Sequence, residues 1–229
     1  MVHKTPAGEL LRTMSHELRT PLNGIIGFAQ LLLRDKTLNQ RQVTGISAIL
    51  ESGDQLLVLI NTLVDLARAE ADDMELNPVE VPLRDWLAGV MDVVQASAAK
   101  KGLEITSEIA PGMPESIHVD ERCLRRVLMT LLDNAVKFTE RGRVVLRIER
   151  ERAGYLSFSV QDTGPGIAQS RLDSIFRPFG RSPGDAPWVK DGGLGLALSR
   201  EFVRLMGGEL RVSSEPGSGS TFQFDIANT

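Results

Sequence analysis

The sequence predicts an α + α/β sandwich architecture, with a helical hairpin over residues 1–76 followed by an α+β domain over residues 77–229. Two observations carry this expectation. Val43, Ile46, Leu50, Gly53, Leu57, Ile60, Val64 and Ala67 keep an unbroken three-four alternation, which is the pattern of a bundle helix. Beyond Asn77-Pro78-Val79 the period shortens to two in stretches such as Leu156, Phe158 and Val160, and Pro78 with Pro82 marks the passage out of the long helix.

In the first helix, apolar residues recur at Leu11, Met14, Leu18, Ile25, Phe28 and Leu32, with Pro21 taking one seam position. The polar stretch from Arg34 to Asn39 reads as a connector, and the second helix follows. Ile49, Leu56 and Leu63 widen its apolar stripe beyond what one partner helix covers. Two hairpins paired as a dimeric four-helix bundle would bury it. The second domain reads as a helix over about 83–100, a strand over 103–109, a helix over 121–138, strands over 144–149 and 155–161, a helix over 194–206, and strands over 209–213 and 221–226. That order suits helices on one face of a mixed sheet.

Composition narrows the function classes. A chain of 229 residues with 42% hydrophobic content has room for two modest domains, and its formal net charge of −4 gives no reason to expect nucleic-acid binding. No apolar run is expected to reach a membrane span and no signal peptide is expected, so the stretch reads as making no membrane contact and as cytoplasmic. The single Cys123 excludes an internal disulfide and a cysteine metal cluster, which is compatible with a reducing cytosol.

His16 departs from the packing pattern. With Leu11 at heptad position a, His16 falls at f, away from the helix partner, where an imidazole contributes nothing to packing. A solvated side chain is the ordinary reading of a lone histidine on a helix. Its neighbours point further: Glu17 is a base beside it, Thr20 lies one turn on along the same face, and Pro21 removes a helical hydrogen bond at this turn, bending the helix there. The stretch Ser15-His16-Glu17-Leu18-Arg19-Thr20-Pro21-Leu22 resembles, at every position, the phosphoacceptor motif of bacterial two-component sensor histidine kinases. The resemblance implies that His16 is phosphorylated on a ring nitrogen and that Glu17 accepts or orients the proton on the other. It also implies that Thr20 positions water when the enzyme acts in reverse as a phosphatase.

Three further stretches carry the resemblance. On the helix from Glu121, Leu124, Leu128, Leu131 and Ala135 form an apolar stripe, while Arg126, Thr130, Asn134, Lys137 and Arg141 form a polar one. A solvated face is one reading. Asn134 with Lys137 also offers a neutral oxygen for a hard cation and an ammonium for phosphate oxygens. Residues 131–139 resemble the N-box of the same kinases, which implies that Asn134 holds Mg²⁺ and Lys137 approaches the phosphates. Thr130 stands where that box usually has asparagine.

By strand alternation Asp162 belongs to the apolar side of 155–161, where a carboxylate needs a partner. It either forms an Asx turn or accepts a hydrogen bond from the exocyclic amine of adenine, with Gly164 and Gly166 letting a ligand approach the backbone. Asp162-Thr163-Gly164-Pro165-Gly166 matches the D-x-G-x-G pattern of GHKL ATPases, which implies the adenine-selecting role for Asp162. Gly193-Leu194-Gly195 opens a helix, where backbone N–H groups and the positive helix end suit phosphate. It resembles the second glycine box of that family, with Asp191 in place of the first glycine. The stretch from Gly180 to Asp191, after the F-box-like Phe176-Arg177-Pro178-Phe179, reads as an ATP lid, and the family's closing pattern is present as Gly217-Ser218-Gly219-Ser220-Thr221-Phe222.

Together these resemblances imply a phosphoacceptor hairpin followed by a GHKL (Bergerat-type) ATP-binding domain. They imply an ATP-dependent protein-histidine kinase that uses ATP and Mg²⁺, works as a homodimer, and passes its phosphoryl group to an aspartate on a response-regulator receiver domain. A non-catalytic signalling scaffold with a degenerate nucleotide site is the alternative, motivated by Thr130 and Asp191. Another GHKL ATPase would share the nucleotide boxes but would not need His16.

Overall fold

The structure, a computed structural model, describes residues 6–152, 154–180 and 193–228. Its contacts divide the described residues into one unit that runs to Met74 and takes in Gly193 to Gly195, and another that comprises residues 75–180 and 196–228.

The first unit is a hairpin of α1 (Pro6–Leu32) and α2 (Gln40–Glu70). Helix α1 runs unbroken through Pro21. Asn39 starts α2 with a reciprocal cap: its Oδ1 accepts from Gln42 N at 3.0 Å, and its own N–H donates to Gln42 Oε1 at 2.9 Å. The face of α1 that packs on α2 is Leu22, Ile26 and Ala29, with Ile60, Leu50 and Leu57 opposite. Gly53 permits this approach, since a Cβ there would stand 2.8 Å from Ile26 Cγ1.

The stripe read from the sequence is therefore not the one that closes the hairpin. Leu18, Ile25, Phe28 and Leu32 are exposed, Phe28 at 71%, because they lie on a neighbouring face of α1; the side chains of Leu11 and Met14 fall outside the described residues. The apolar surface of α1 is wide enough for two interfaces, and one hairpin uses only one of them. A second expectation also needs correction. Helix α2 is long and apolar enough, by length and composition, to cross a membrane, although no such run was expected. Gly53 and Ile60 face α1, and Thr62, Leu66 and Ala69 are buried further along, so the helix is amphipathic as in a bundle.

The second unit contains β1 (Val79–Pro82), α3 (Leu83–Ala99), β2 (Glu104–Ile109), β3 (Ser116–Val119), α4 (Glu121–Phe138), β4 (Arg143–Arg152), β5 (Tyr155–Asp162), α5 (Gln169–Leu172), α6 (Gly195–Leu205), β6 (Leu210–Glu215) and β7 (Gly219–Ala227). The main sheet is ordered β2-β4-β5-β7-β6, parallel only between β2 and β4. Strand β5 is central, and its Leu156, Phe158 and Val160 are buried. Phe158 stacks on its cross-strand partner Phe224 with ring centroids 5.1 Å apart. Helices α3 and α4 supply the facing apolar layer, with Leu83, Leu87, Leu124, Leu128 and Leu132 fully enclosed.

Three short elements were not legible in the sequence. Strands β1 and β3 pair antiparallel as a separate two-stranded sheet, and each has only four residues, too few for a period to declare itself. Helix α5 is a single turn. Arg141, expected on the polar stripe of α4, lies beyond the end of that helix, which stops at Phe138.

Side chains hold α4 at both of its ends. At the start, Asp120 is 2% exposed; its Oδ1 accepts from Cys123 N at 3.1 Å and its Oδ2 from Asn77 N at 2.8 Å. Burial pushes this carboxyl up, but the two N–H groups and the Arg122 guanidinium outweigh it and hold it below the usual carboxylate value. At the other end, Lys101 Nζ donates to the carbonyls of Val136, Lys137 and Thr139 at 2.7, 2.6 and 3.3 Å. A cation there meets the last unsatisfied carbonyls and the negative end of the helix dipole.

Candidate functional site

Each unit brings together its own set of the expected residues. In the hairpin, His16, Glu17 and Thr20 are all exposed, while Ser15 and Leu22 on either side of them are buried. The imidazole therefore stands off the packed face, although that face is not the stripe from which its heptad position was read. The Thr20 hydroxyl donates to the His16 backbone carbonyl at 3.2 Å, which leaves its lone pairs as acceptors on the face that carries the imidazole. Beside them, Arg19 donates through Nε and Nη2 to Asn61 Oδ1 at 2.9 and 2.6 Å, clasping α1 to α2. Sequence periodicity could not have indicated this pair, because it joins residues 42 apart.

In the second unit, Asn134 and Lys137 lie one turn apart near the end of α4, both half-buried, with Lys137 Nζ 5.1 Å from the centroid of the Phe138 ring. Asp162 ends β5 on the buried side, as strand alternation predicts, and is 7% exposed. Its Oδ1 accepts from Gly164 N at 2.8 Å, so the Asx turn is real. Burial pushes its carboxyl above the ordinary value, while the N–H groups of Gly164 and Ser220 pull partly against that. Two N–H donors do not exhaust the acceptor capacity of a carboxylate, so the turn and a ligand contact are compatible.

The two glycines of the Asp162 loop serve different ends. A Cβ on Gly164 would stand 2.8 Å from Asp162 Oδ1. Gly166, at φ +71°, is closed in by backbone: a Cβ there would meet the carbonyl of Glu215 and the Cα of Pro216. The close approach at Gly166 is therefore made by the chain's own backbone, whereas the sequence reading assigned it to a ligand. Further bonds fasten the loop to the β6–β7 turn. Ile167 N donates to Ser214 Oγ at 2.8 Å, Ser214 Oγ lies 2.9 Å from Ser220 Oγ, and Gly217 N donates to Pro165 O at 2.8 Å. The closing Gly-Ser-Gly-Ser-Thr-Phe stretch thus buttresses the Asp162 loop.

Gly195 is the first residue of α6; Gly195 and Leu194 are buried and Gly193 adopts φ +81°. Phe176 is buried edge-to-face on Phe222, with centroids 6.4 Å apart, whereas Phe179 is exposed with φ +57°. Most of the expected lid and Asp191 lie outside the described residues. Among the described residues no cluster of three or more His, Cys, Asp or Glu could hold a metal unaided. One neutral oxygen from Asn134 fits a Mg²⁺ that takes its remaining ligands from phosphate and water.

Comparison with known proteins agrees with this division. Residues 7–72 match the His Kinase A (phospho-acceptor) domain, and residues 119–229 match the family described as histidine kinase-, DNA gyrase B- and HSP90-like ATPase. The chain is 38% identical over 223 residues to the sensor protein GacS of Pseudomonas syringae pv. syringae, covering 95% of this chain and 24% of that protein. It is 37% identical over 219 residues to the aerobic respiration control sensor protein ArcB of Escherichia coli K12, covering 94% and 28%. The crystal structure of full-length ShkA in complex with AMPPNP superposes with a TM-score of 0.85 at 38% identity, covering 96% of this chain and 46% of that one. The chain thus spans about a quarter of the length of the curated relatives it matches. With a phosphoacceptor hairpin and a GHKL-type ATPase domain in that order, the chain belongs to the sensor histidine kinases and comprises their two-domain core.

Proposed function

We propose that this chain is an ATP-dependent protein-histidine kinase acting on its own His16, with residues 1–76 as the dimerisation and phosphotransfer hairpin and residues 77–229 as the catalytic ATP-binding domain. The observation that carries the reading is the exposed imidazole of His16, off the packed face of α1 and inside a complete phosphoacceptor motif. A ring nitrogen with a free lone pair attacks the γ-phosphorus of ATP, the bond to the β–γ bridging oxygen breaks, and ADP leaves with that electron pair. Glu17 takes or orients the proton on the other ring nitrogen, which keeps the attacking nitrogen nucleophilic.

On the nucleotide side, Asp162 accepts from the exocyclic amine of adenine, and Lys137 approaches the phosphates. Gly164 and Gly166 shape the Asp162 loop, and the backbone of Gly193, Leu194 and Gly195 faces the phosphate chain at the start of α6. Asn134 holds Mg²⁺, which would neutralise phosphate charge during transfer. Positioning and charge neutralisation supply most of the catalysis in such a reaction.

The phosphoryl group then passes to an aspartate of a response-regulator receiver domain. Thr20, whose lone pairs remain available, orients water for the reverse, phosphatase reaction. The exposed Ile25, Phe28, Ile49 and Leu56 support a homodimeric four-helix bundle, and the core works in the cytoplasm without nucleic acid or membrane contact.

Incubation with γ-labelled ATP tests the reading. The parent chain is expected to acquire acid-labile label that His16→Gln abolishes while ATP affinity stays within about twofold, because the nucleophile and the nucleotide pocket are built on different units. Acid-stable label, or label that persists in His16→Gln, would refute the acceptor. The absence of any label would favour the scaffold alternative that Thr130 motivates.

A further inference from the structure

Helix α4 ends without a backbone cap of its own. Its C-cap, Thr139, is extended at φ −83° and ψ 122°, and the next glycine, Gly142, comes too late to supply the usual left-handed cap. The last helical bond runs from Thr139 N to Ala135 O at 3.0 Å, which leaves the carbonyls of Val136 and Lys137 beyond it. Lys101 Nζ meets those two at 2.7 and 2.6 Å, and the carbonyl of Thr139 at 3.3 Å. An ammonium has three hydrogens, and three carbonyls take them here. Lys101 is itself held in a closed turn after α3, where Lys101 N donates to Ala98 O at 3.0 Å, Leu103 N donates to the same oxygen at 3.1 Å, and Gly102 takes φ +67°. The residue is exposed, and a surface lysine ordinarily leaves its ammonium in water. This one carries its charge to the end of a helix instead.

We propose that Lys101 is a positioning residue for the nucleotide site, which sets Asn134 and Lys137 toward Mg²⁺ and the phosphates by closing the last turn of α4. This rests on the reading of Asn134 and Lys137 as the metal and phosphate contacts. Both stand between residue 134 and the helix end at Phe138, the part of a helix that frays when its carbonyls are unmet, and the backbone carbonyl of Lys137 is one of the three that Lys101 holds. The charge matters as well as the bonds. Unmet carbonyls at a helix end carry partial negative charge, which a triphosphate brought to Lys137 would face, and the ammonium offsets it. The contact to the base is fixed separately, since the Asp162 loop is fastened to the β6–β7 turn through Ser214 and Gly217. Lys101 therefore acts on the phosphate end of the site and leaves the base end alone.

Titration calorimetry of the whole chain with Mg²⁺-ATP and with adenosine tests this. Lys101→Met, which keeps an unbranched stem and removes the ammonium, is expected to bind Mg²⁺-ATP about tenfold more weakly than the parent and adenosine within about twofold of it. Lys101→Arg, which keeps a cation with donors at that place, should stay within about threefold of the parent for both ligands. Asp120→Ser, which weakens the hold at the opposite end of the same helix, should lower the melting temperature while changing neither affinity by more than about twofold.

An unchanged affinity of Lys101→Met for Mg²⁺-ATP would overturn the proposal while leaving the ATP site intact. Equal loss of Mg²⁺-ATP and adenosine would do the same, by showing a merely structural role, and so would an equally large loss of Mg²⁺-ATP in Asp120→Ser. Lys101→Arg binding Mg²⁺-ATP as weakly as Lys101→Met would also overturn it, because the cation would then not be what holds the turn. Failure of the parent to bind ATP at all would instead remove the site reading on which the proposal rests.

Discussion

The Arg19 guanidinium on α1 places two nitrogens, at 2.9 and 2.6 Å, on the single side-chain oxygen of Asn61 on α2. The clasp is half-buried and lies three residues from His16, within the turn that carries it, so it fixes the rotation of that turn against the second helix. In a double-mutant cycle of Arg19→Met and Asn61→Leu, measured by urea unfolding at fixed protein concentration, the two positions should couple by about 1 kcal/mol. Strictly additive losses would mean that the two groups do not cooperate.

Asp162 should show a conflict between stability and function. Its folded-state carboxyl is raised by burial above the ordinary value of 3.8, so its ionised form destabilises the fold at neutral pH, and that cost is relieved as pH falls through the raised value toward 3.8. Asp162→Asn is therefore expected to melt at the same temperature as the parent or higher at pH 7, with the difference narrowing on acidification. Its affinity for ATP should fall by at least about tenfold and its preference for ATP over GTP should disappear. Asp120 carries the opposite sign. Its lowered carboxyl contributes stability above 3.8 that is lost as pH falls through the folded value. Calorimetric scans from pH 3 to 7 separate the two; a destabilised Asp162→Asn at pH 7 would contradict this account of Asp162.

The exposed stripe on α1 makes the oligomer testable without damage to the hairpin. Ile25 and Phe28, 52% and 71% exposed in the single chain, do not belong to the Leu22–Ile26–Ile60 cluster. Replacing both with Glu should leave helical content intact and yield a monomer by light scattering, because the charges would stay in water in one hairpin and be buried in two. A double variant that remains dimeric would show that this face is not the one used.

Thr20 should separate the two directions of phosphoryl chemistry. Its proton is committed to the His16 carbonyl, so its oxygen meets a water only as acceptor. That suits orienting a water near a docked phosphoaspartate and is not needed when His16 itself attacks ATP. Thr20→Ala is expected to autophosphorylate within about twofold of the parent and to lose about tenfold or more of regulator dephosphorylation. The decay rate of a cognate phosphorylated regulator is the measurement, and equal acceleration by variant and parent would exclude the role.

What the sequence determined by itself was everything whose cause is local. The period of α4 and the alternation of β5 needed only neighbours, and placed Asn134 on a polar stripe and Asp162 on the buried side. The phosphoacceptor stretch and the glycine boxes were likewise readable as strings. Tertiary structure decided which of two apolar faces of α1 closes the hairpin, because a wide stripe is consistent with either until Gly53 lets Ile26 approach. It also decided the pairing of β1 with β3, the clasp of Arg19 with Asn61, and the hold of Lys101 on the end of α4. These depend on side chains and strands brought together from 34 or more positions away, and such contacts leave no period in the chain. The same holds for Thr139: as a string it is one threonine after a helix, and only the fold shows its hydroxyl buried close to Gly164.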